Sequence, residues 1–215
     1  MIKGIIFDLD GTTLYTLIDL RNALNYSLKH FNLPERSLDE VRLGVGTGFR
    51  NLIKYSVPSE TDEQTKIEIG NLYLKTYSEN YDIETRPYSN IPTLLKILQN
   101  KGIKLAINSN KSNLNTNKLI NKHFPDIDFI AVFGARDGVK NKPDPESANE
   151  IIKLMDLNKD EVLYVGDSET DIQTGKNASV KTVGCLWGYR DLNTLKKINA
   201  DYIIKDPLDL LNYLN

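Results

Sequence analysis

The sequence lacks most of what would mark an exported, membrane-bound or nucleic-acid-binding chain. It has a single cysteine, Cys185, so no intramolecular disulfide can form, and a reducing, cytoplasmic setting is expected. Its two histidines, His30 and His123, stand apart from each other and from Cys185, which argues against a zinc site. No apolar run approaches the ~20 residues a membrane-spanning helix needs. The short apolar run at the start is closed at once by Asp8 and Asp10, unlike a signal peptide. Nor is there an excess of one charge: 27 basic residues against 29 acidic give a formal net charge of −2. That balance speaks against a nucleic-acid partner or an anionic membrane surface. Internal repeats and low-complexity segments are also missing, and oligomeric state leaves no mark.

What is present is a core-forming α/β pattern. Apolar residues make up 40% of the chain. Short β-branched apolar runs recur at Ile2–Phe7, Ile103–Ile107, Phe129–Phe133, Val162–Val165, Thr182–Cys185 and Tyr202–Ile204. Continuous rather than alternating apolar character suits parallel strands covered by helices on both faces. Helical spacing lies between them: Ile91, Leu94, Leu95 and Leu98 before Gly102, and Ala148, Ile151, Ile152 and Met155 over Ser147–Met155. Strand and helix in alternation predict a doubly wound, Rossmann-like parallel sheet.

One connection is too long for that rhythm. About 95 residues separate the first strand from Ile103, where one crossover helix would suffice. The interval carries helical patterns over Leu17–Phe31, Leu38–Leu43, Phe49–Ser56 and Asp62–Tyr81, the first with Leu17, Leu20, Leu24, Leu28 and Phe31 on one face. Residues 15–83 are therefore expected to form an inserted all-helical domain, and residues 1–14 with 84–215 the α/β core. Within the insertion, Gly44-Val45-Gly46-Thr47-Gly48 imitates a dinucleotide fingerprint, but a helical pattern precedes it instead of a strand, so it reads as an interhelical loop.

Ligands of open parallel sheets bind beyond the C-terminal strand ends. Four polar clusters fall at or beyond such ends: Asp8-Leu9-Asp10-Gly11-Thr12, Asn108-Ser109-Asn110-Lys111, Lys142-Pro143-Asp144-Pro145 and Gly166-Asp167-Ser168-Glu169-Thr170-Asp171. Asp8 and Asp10 alternate, so in an extended segment one can face a reacting phosphorus while the other reaches a different part of the site. Asp8 and Asp167, with a backbone carbonyl, supply the hard oxygen ligands Mg²⁺ prefers, and so many carboxylates in one crevice call for a cation. Ser109 and Lys142 offer a hydroxyl and an ammonium to phosphate oxygens. Taken singly, each has a plainer reading. A lone Asp-x-Asp is more often a turn, Asp167 and Asp171 suit a helix start, and Lys142 is one lysine among many.

Together and in this order, the four clusters resemble those of the haloacid dehalogenase superfamily, and within it the phosphoglycolate-phosphatase-like enzymes, over nearly the whole chain. The resemblance implies a phosphatase in which Asp8 is the nucleophile and forms an aspartyl-phosphate. It implies that Asp10 protonates the leaving oxygen and then activates water, that Ser109 binds the phosphoryl group and that Lys142 holds Asp8 and the phosphate together. It further implies an Mg²⁺ site from Asp8, Asp10 through its carbonyl, Asp167 and, in or beside the shell, Asp171. Substrate contacts are expected from Gly11, Thr12 and Asn110, and from Arg50 beyond the glycine loop. Residues 15–83 resemble a mobile cap that excludes water, and the substrate is expected to be a small phosphorylated metabolite.

Two positions depart from the family: Thr13 stands where Leu is usual, and Tyr15 where Asp is usual. Both sit where the insertion begins. Cys185 is expected to pack within a strand, with Trp187 and Tyr189 beside the core. Among relatives with other chemistry, a β-phosphoglucomutase would resemble Glu-Asp at Gly166-Asp167 and would have Arg at Phe49. A pyrophosphatase or nucleotidase stays open. A dehalogenase would make Asp10 superfluous, and a P-type ATPase would carry Thr there and need membrane segments. A regulatory protein on a retired scaffold would be expected to have lost one of Asp8, Asp10, Lys142 or Asp167, and all four are retained. Arg21, Arg42, Thr47 and Arg50 are the insertion's few polar candidates for substrate choice.

Overall fold

The computed structural model describes residues 1–215. The chain opens with β1 (Gly4–Phe7) and the two-residue strand β2 (Leu14–Tyr15), then runs through four helices, α1 (Leu17–His30), α2 (Leu38–Gly44), α3 (Phe49–Ser56) and α4 (Glu63–Asn80). It returns through β3 (Arg86–Pro87) to α5 (Ile91–Asn100), β4 (Lys104–Ser112), α6 (Asn113–His123), β5 (Phe129–Ala135) and α7 (Glu146–Met155). Then come β6 (Val162–Gly166), α8 (Glu169–Asn177), β7 (Lys181–Cys185), α9 (Leu192–Lys197) and β8 (Tyr202–Ile204).

Six strands form one sheet in the order β5-β4-β1-β6-β7-β8, every pair parallel. Counted among the six in chain order this is 3-2-1-4-5-6, so the order reverses between β1 and β6, where a doubly wound sheet opens its binding crevice. Continuous apolar character is needed because both faces are covered. Ile5 and Phe7 pack with Leu94, Leu95 and Leu98 of α5 and Leu119 and Ile120 of α6, while Ile6 packs with Ala148, Ile151 and Met155 of α7. All four residues of β1 are buried.

The expected elements form, and four features go beyond them. β4 runs on through Ser112 instead of ending at Ile107. Its partner register jumps there: Asn108 faces Phe133 and Ser112 faces Ala135, so Ser109, Asn110 and Lys111 span a stretch that β5 covers with Gly134 alone. This is a bulge that re-aims three polar residues out of the sheet. Gly134 permits it, since a Cβ there would lie 2.5 Å from the Lys111 carbonyl oxygen. The second feature is the stem of the insertion, where Leu14 pairs with Pro87 and Tyr15 with Arg86 in an antiparallel ribbon. The third and fourth are α6 and α9, helices with few apolar residues.

Between the two stem strands, α1–α4 build a separate apolar cluster: Leu20, Leu24 and Leu28 of α1 meet Val41, Leu52, Ile53, Ile69, Tyr73 and Tyr77. Ser37 starts α2 with a reciprocal capping box, and the Asp62 side chain starts α4 by accepting from the Thr65 N–H at 2.9 Å. Tyr189, from the loop after β7, is buried in this cluster, so the helices rest on the sheet domain through an aromatic side chain. No helix is long and apolar enough to cross a membrane.

Candidate active site

Asp8 follows β1 and Asp167 follows β6, on either side of the point where strand order reverses. Asp171 sits in the first turn of α8, where its Oδ2 accepts from the Ser168 N–H at 3.0 Å and the Ser168 hydroxyl at 2.6 Å. All three are buried, and one oxygen from each falls within a 4.8 Å cluster. Lys142 reaches into it from the loop before α7, its Nζ 2.6 Å from Asp8 Oδ1 and 2.6 Å from Asp171 Oδ1. The amide of Asn110 fixes that loop in both directions: Oδ1 accepts from the Lys142 N–H at 2.8 Å and Nδ2 donates to its carbonyl at 3.1 Å.

The electrostatics follow from this count. Three ionised carboxylates against one ammonium would leave two negative charges in a buried site. Burial, with the nearby Asp171 carboxylate, pushes Asp167 up to about 7, against hydrogen bonds from Tyr189 and Thr12 that pull it down. Burial, then Asp171, hold Asp8 well above the ordinary carboxylate range despite Lys142. Burial alone would lower Lys142, but the Asp171 and Asp8 carboxylates outweigh it and its ammonium is held firmly charged. Buried oxygen donors with a surplus of two negative charges fit a hard divalent cation in sign, magnitude and donor type.

Asp10 points elsewhere. Its Oδ1 accepts from the Thr16 hydroxyl at 2.6 Å and its Oδ2 lies 3.1 Å from Lys111 Nζ. Its carboxylate therefore stands outside the cluster expected to hold a metal, which leaves only its backbone carbonyl for such a role. Lys111 also donates to the Tyr77 hydroxyl of α4 at 2.8 Å, with its Nζ 4.3 Å from that ring's centre. Asp8, Asp10, Ser109, Asn110 and Lys111 line one cavity with Leu20, Val45, Gly46, Gly48, Phe49, Leu52, Tyr73, Leu74 and Tyr77 of the helical insertion. Its volume is about 60 Å³, which suits a small ligand.

The remaining expected site residues divide. Thr12 turns away from the cavity and donates to Asp167 Oδ1 at 3.1 Å, and Gly11 backs onto the same carboxylate. Arg50 is not brought in: it is exposed on α3, its guanidinium 5.9 Å from the centre of the Phe49 ring, because the face of α3 turned to the cavity carries Phe49 and Leu52. Arg21, Arg42 and Thr47 do not line the cavity either. The glycine segment is the last residue of α2 and the loop that joins it to α3, and Asn110 Nδ2 donates to its Gly46 carbonyl at 3.0 Å.

Several residues to which the sequence assigns no site role now have places. Lys111 and Tyr77 join the two halves of the cavity. Tyr189 donates its N–H to Asp167 Oδ2 at 2.7 Å, and its hydroxyl pairs with the Thr16 hydroxyl at 3.1 Å. Trp187 donates its indole N–H to the Thr12 carbonyl at 2.9 Å. The two departures from the family pattern are also accounted for. Thr13 donates to the carbonyls of Asp8 and Leu9 within the turn, and Tyr15 carries the Arg86 guanidinium 4.7 Å above its ring.

A family model described as haloacid dehalogenase-like hydrolase matches residues 5–185. A phosphoglycolate phosphatase from Aquifex aeolicus is 32% identical over 213 residues, which covers 99% of this chain and 97% of that one. A Clostridium perfringens protein ascribed as the pyrophosphatase PpaX is 31% identical, with 99% and 97% covered. A crystal structure from Lactobacillus delbrueckii subsp. bulgaricus, ascribed to a phosphoglycolate phosphatase, superposes with a TM-score of 0.92 at 29% identity and covers 99% of this chain and 98% of its own. With the sheet order and the placement of Asp8 and Asp167 at its reversal point, these matches make the chain a member of the haloacid dehalogenase-like hydrolase family, and an enzyme.

Proposed function

We propose that this enzyme is an Mg²⁺-dependent phosphatase that hydrolyses a small phosphate monoester, phosphoglycolate-like, through an aspartyl-phosphate on Asp8. The observation that carries the reading is the division of labour between the two carboxylates that line the cavity. Asp8 Oδ1 is held by Lys142 and its Oδ2 has no protein hydrogen bond, while Asp10 lies on the other side against Thr16 and Lys111. Asp8 Oδ2 attacks phosphorus; the new P–O bond forms as the bond to the leaving oxygen breaks, and Asp10 gives that oxygen its proton. Asp10 then takes a proton from water, whose oxygen attacks the same phosphorus and frees Asp8 and phosphate. Ser109 holds the phosphoryl oxygens, and Lys142 keeps Asp8 oriented. Asp8 and Asp167, beside Asp171 and the Asp10 carbonyl, would hold Mg²⁺, which when bound neutralises charge on the phosphoryl group.

Residues 1–14 and 84–215 carry the chemistry in this proposal, and residues 15–83 act as the cap that selects the substrate and excludes water. The substrates named for the two relatives share a property: glycolate and phosphate both leave as anions beyond the one being transferred. A mutase is disfavoured sterically, because a Cβ at Gly166 would lie 2.2 Å from the Asp171 Cβ, leaving no room for the mutase-type Glu. Purified protein should hydrolyse p-nitrophenyl phosphate with Mg²⁺, and Asp8→Asn should lower kcat by at least about a thousandfold, as loss of a covalent nucleophile does. Retained turnover in that variant would remove the covalent mechanism. Asp10→Asn should leave a phosphoenzyme that can be trapped in acid.

A further inference from the structure

We infer that Lys111 is the residue that selects the substrate, pairing with a negative charge on the leaving group close to the bridging oxygen. The inference rests on the phosphatase reading and names the class of ester it takes.

Of the side chains that line the cavity only Asp8, Asp10 and Lys111 are charged, and the insertion's share of the wall is aliphatic and aromatic, with the Tyr73 and Tyr77 hydroxyls as its only polar side-chain groups. Lys142 lies behind Asp8, committed to Asp8 and Asp171. An anionic leaving group under this wall thus has one cation to meet, and without it would be a buried, unpaired charge. Lys111 is built for the task. Its side chain is only 5% exposed, and it is fixed from both sides by Asp10 and Tyr77. An ammonium has three N–H groups, so one stays free when those two are used. A cation already held in place loses little freedom on pairing.

Distance makes the match specific. Asp10 must reach the bridging oxygen to protonate it, and Lys111 Nζ lies 3.1 Å from Asp10 Oδ2. The charge it pairs with must therefore sit within a few bonds of the bridging oxygen, as a carboxylate on the adjacent carbon or a second phosphoryl group does. A charge at the far end of a longer chain would not reach.

The test is a comparison across leaving groups. Wild type, Lys111→Met and Lys111→Arg are assayed on 2-phosphoglycolate, pyrophosphate and ethyl phosphate, with circular dichroism confirming that each variant folds. Because Lys111 also touches Asp10, the Met variant should lose activity on all three. The expected result is an additional loss in kcat/KM of about 10- to 100-fold on the preferred anionic substrate relative to ethyl phosphate, the size of one charge-assisted hydrogen bond, with partial recovery in the Arg variant. Which of 2-phosphoglycolate and pyrophosphate shows it identifies the anion. Equal losses on all three, or a wild type that prefers ethyl phosphate, would overturn the assignment. Calorimetric binding of 2-phosphoglycolate, pyrophosphate and ethyl phosphate to Asp8→Asn, with and without Lys111→Met, reads the same ratio without turnover. An active Asp8→Asn enzyme would defeat the covalent mechanism while leaving this ratio intact, so the two failures are told apart.

Discussion

Lys142 cannot balance Asp8, Asp167 and Asp171 alone, and the surplus negative charge has a consequence for stability. An aspartate has an ordinary value of 3.8, and Asp167 is pushed up to about 7 by burial and by Asp171. Between those limits the folded protein keeps a proton that the unfolded chain has released, so stability falls as pH rises through the window. Asp8, raised by burial and the same neighbour, acts in the same direction. In EDTA, the Tm should fall from pH 5.5 to pH 8. On the proposed metal site Mg²⁺ would bind the ionised carboxylates, so it should raise Tm more at pH 8 than at pH 5.5. Asp167→Asn should flatten the EDTA slope. A Tm in EDTA that climbs across this window would contradict the placement of these charges. Asp8, Asp10, Ser109, Lys142 and Asp167 could be picked out in the sequence because each belongs to a cluster at a strand end or in the loop beyond one. Lys111 and Tyr77 could not, because their pairing joins positions 34 apart in sequence across a tertiary boundary. Arg50 shows the converse: charge and proximity to the glycine loop said nothing of which face of α3 would be buried.

The helical insertion is fastened to the sheet domain at its stem, and one side chain ties the outgoing chain to the returning one. Asp19, buried in the first turn of α1, accepts from the backbone N–H groups of Ile83, Glu84 and Thr85 and from the Thr85 hydroxyl at 2.8 Å. The outgoing and returning chain are thereby locked to each other beside the β2–β3 ribbon. Asp19→Ala would strip three N–H groups of their acceptor, and since Ile83 and Glu84 are exposed enough for water to compensate in part, the expected loss is about 2 to 4 kcal/mol. Urea denaturation measures it, and a change below about 0.5 kcal/mol, the size of a neutral surface substitution, would show the clamp to be idle. The long helices and buried strands were legible because period and apolar runs are strong over ten residues. The two-residue strands of the stem were not, since a pair has no periodicity. Nor was α6, whose buried face holds Asn115 and Thr116 beside Leu119 and Ile120. The extension of β4 through its polar bulge depends on Gly134 in another strand, a relation that no local window contains.

At the scale of the whole molecule, the sheet domain grips the loop that closes the cavity. Arg190, in the loop after β7, donates to the carbonyls of Arg42 at 2.8 Å, Leu43 at 3.1 Å and Val45 at 3.1 Å, at and just beyond the C-terminal end of α2. A guanidinium there satisfies carbonyls that the ending helix leaves open and meets the negative end of its dipole. Its Nε pairs with Glu169 at 2.8 Å, two residues from Asp167, so the loop that supplies Val45, Gly46 and Gly48 to the cavity wall is tied to the carboxylate cluster. Asn110 adds its bond to Gly46, and Tyr189 adds its ring to the apolar cluster of the helices. Arg190 touches none of the reacting groups, so its loss should act through closure, beside an electrostatic effect on Asp167, which its charge helps to hold down. Arg190→Ala should raise KM by about tenfold, equivalent to ~1.4 kcal/mol of binding, while kcat falls by less than about threefold. Lys at the same position offers a point charge instead of a planar fork and should recover only part of the loss. Hydrogen exchange gives the independent readout: amides of residues 43–48 should exchange faster in the Ala variant while those of β1 and β6 stay unchanged. A fall in kcat with KM and loop exchange unaltered would mean that Arg190 serves the carboxylate cluster through Glu169 and not the closing loop.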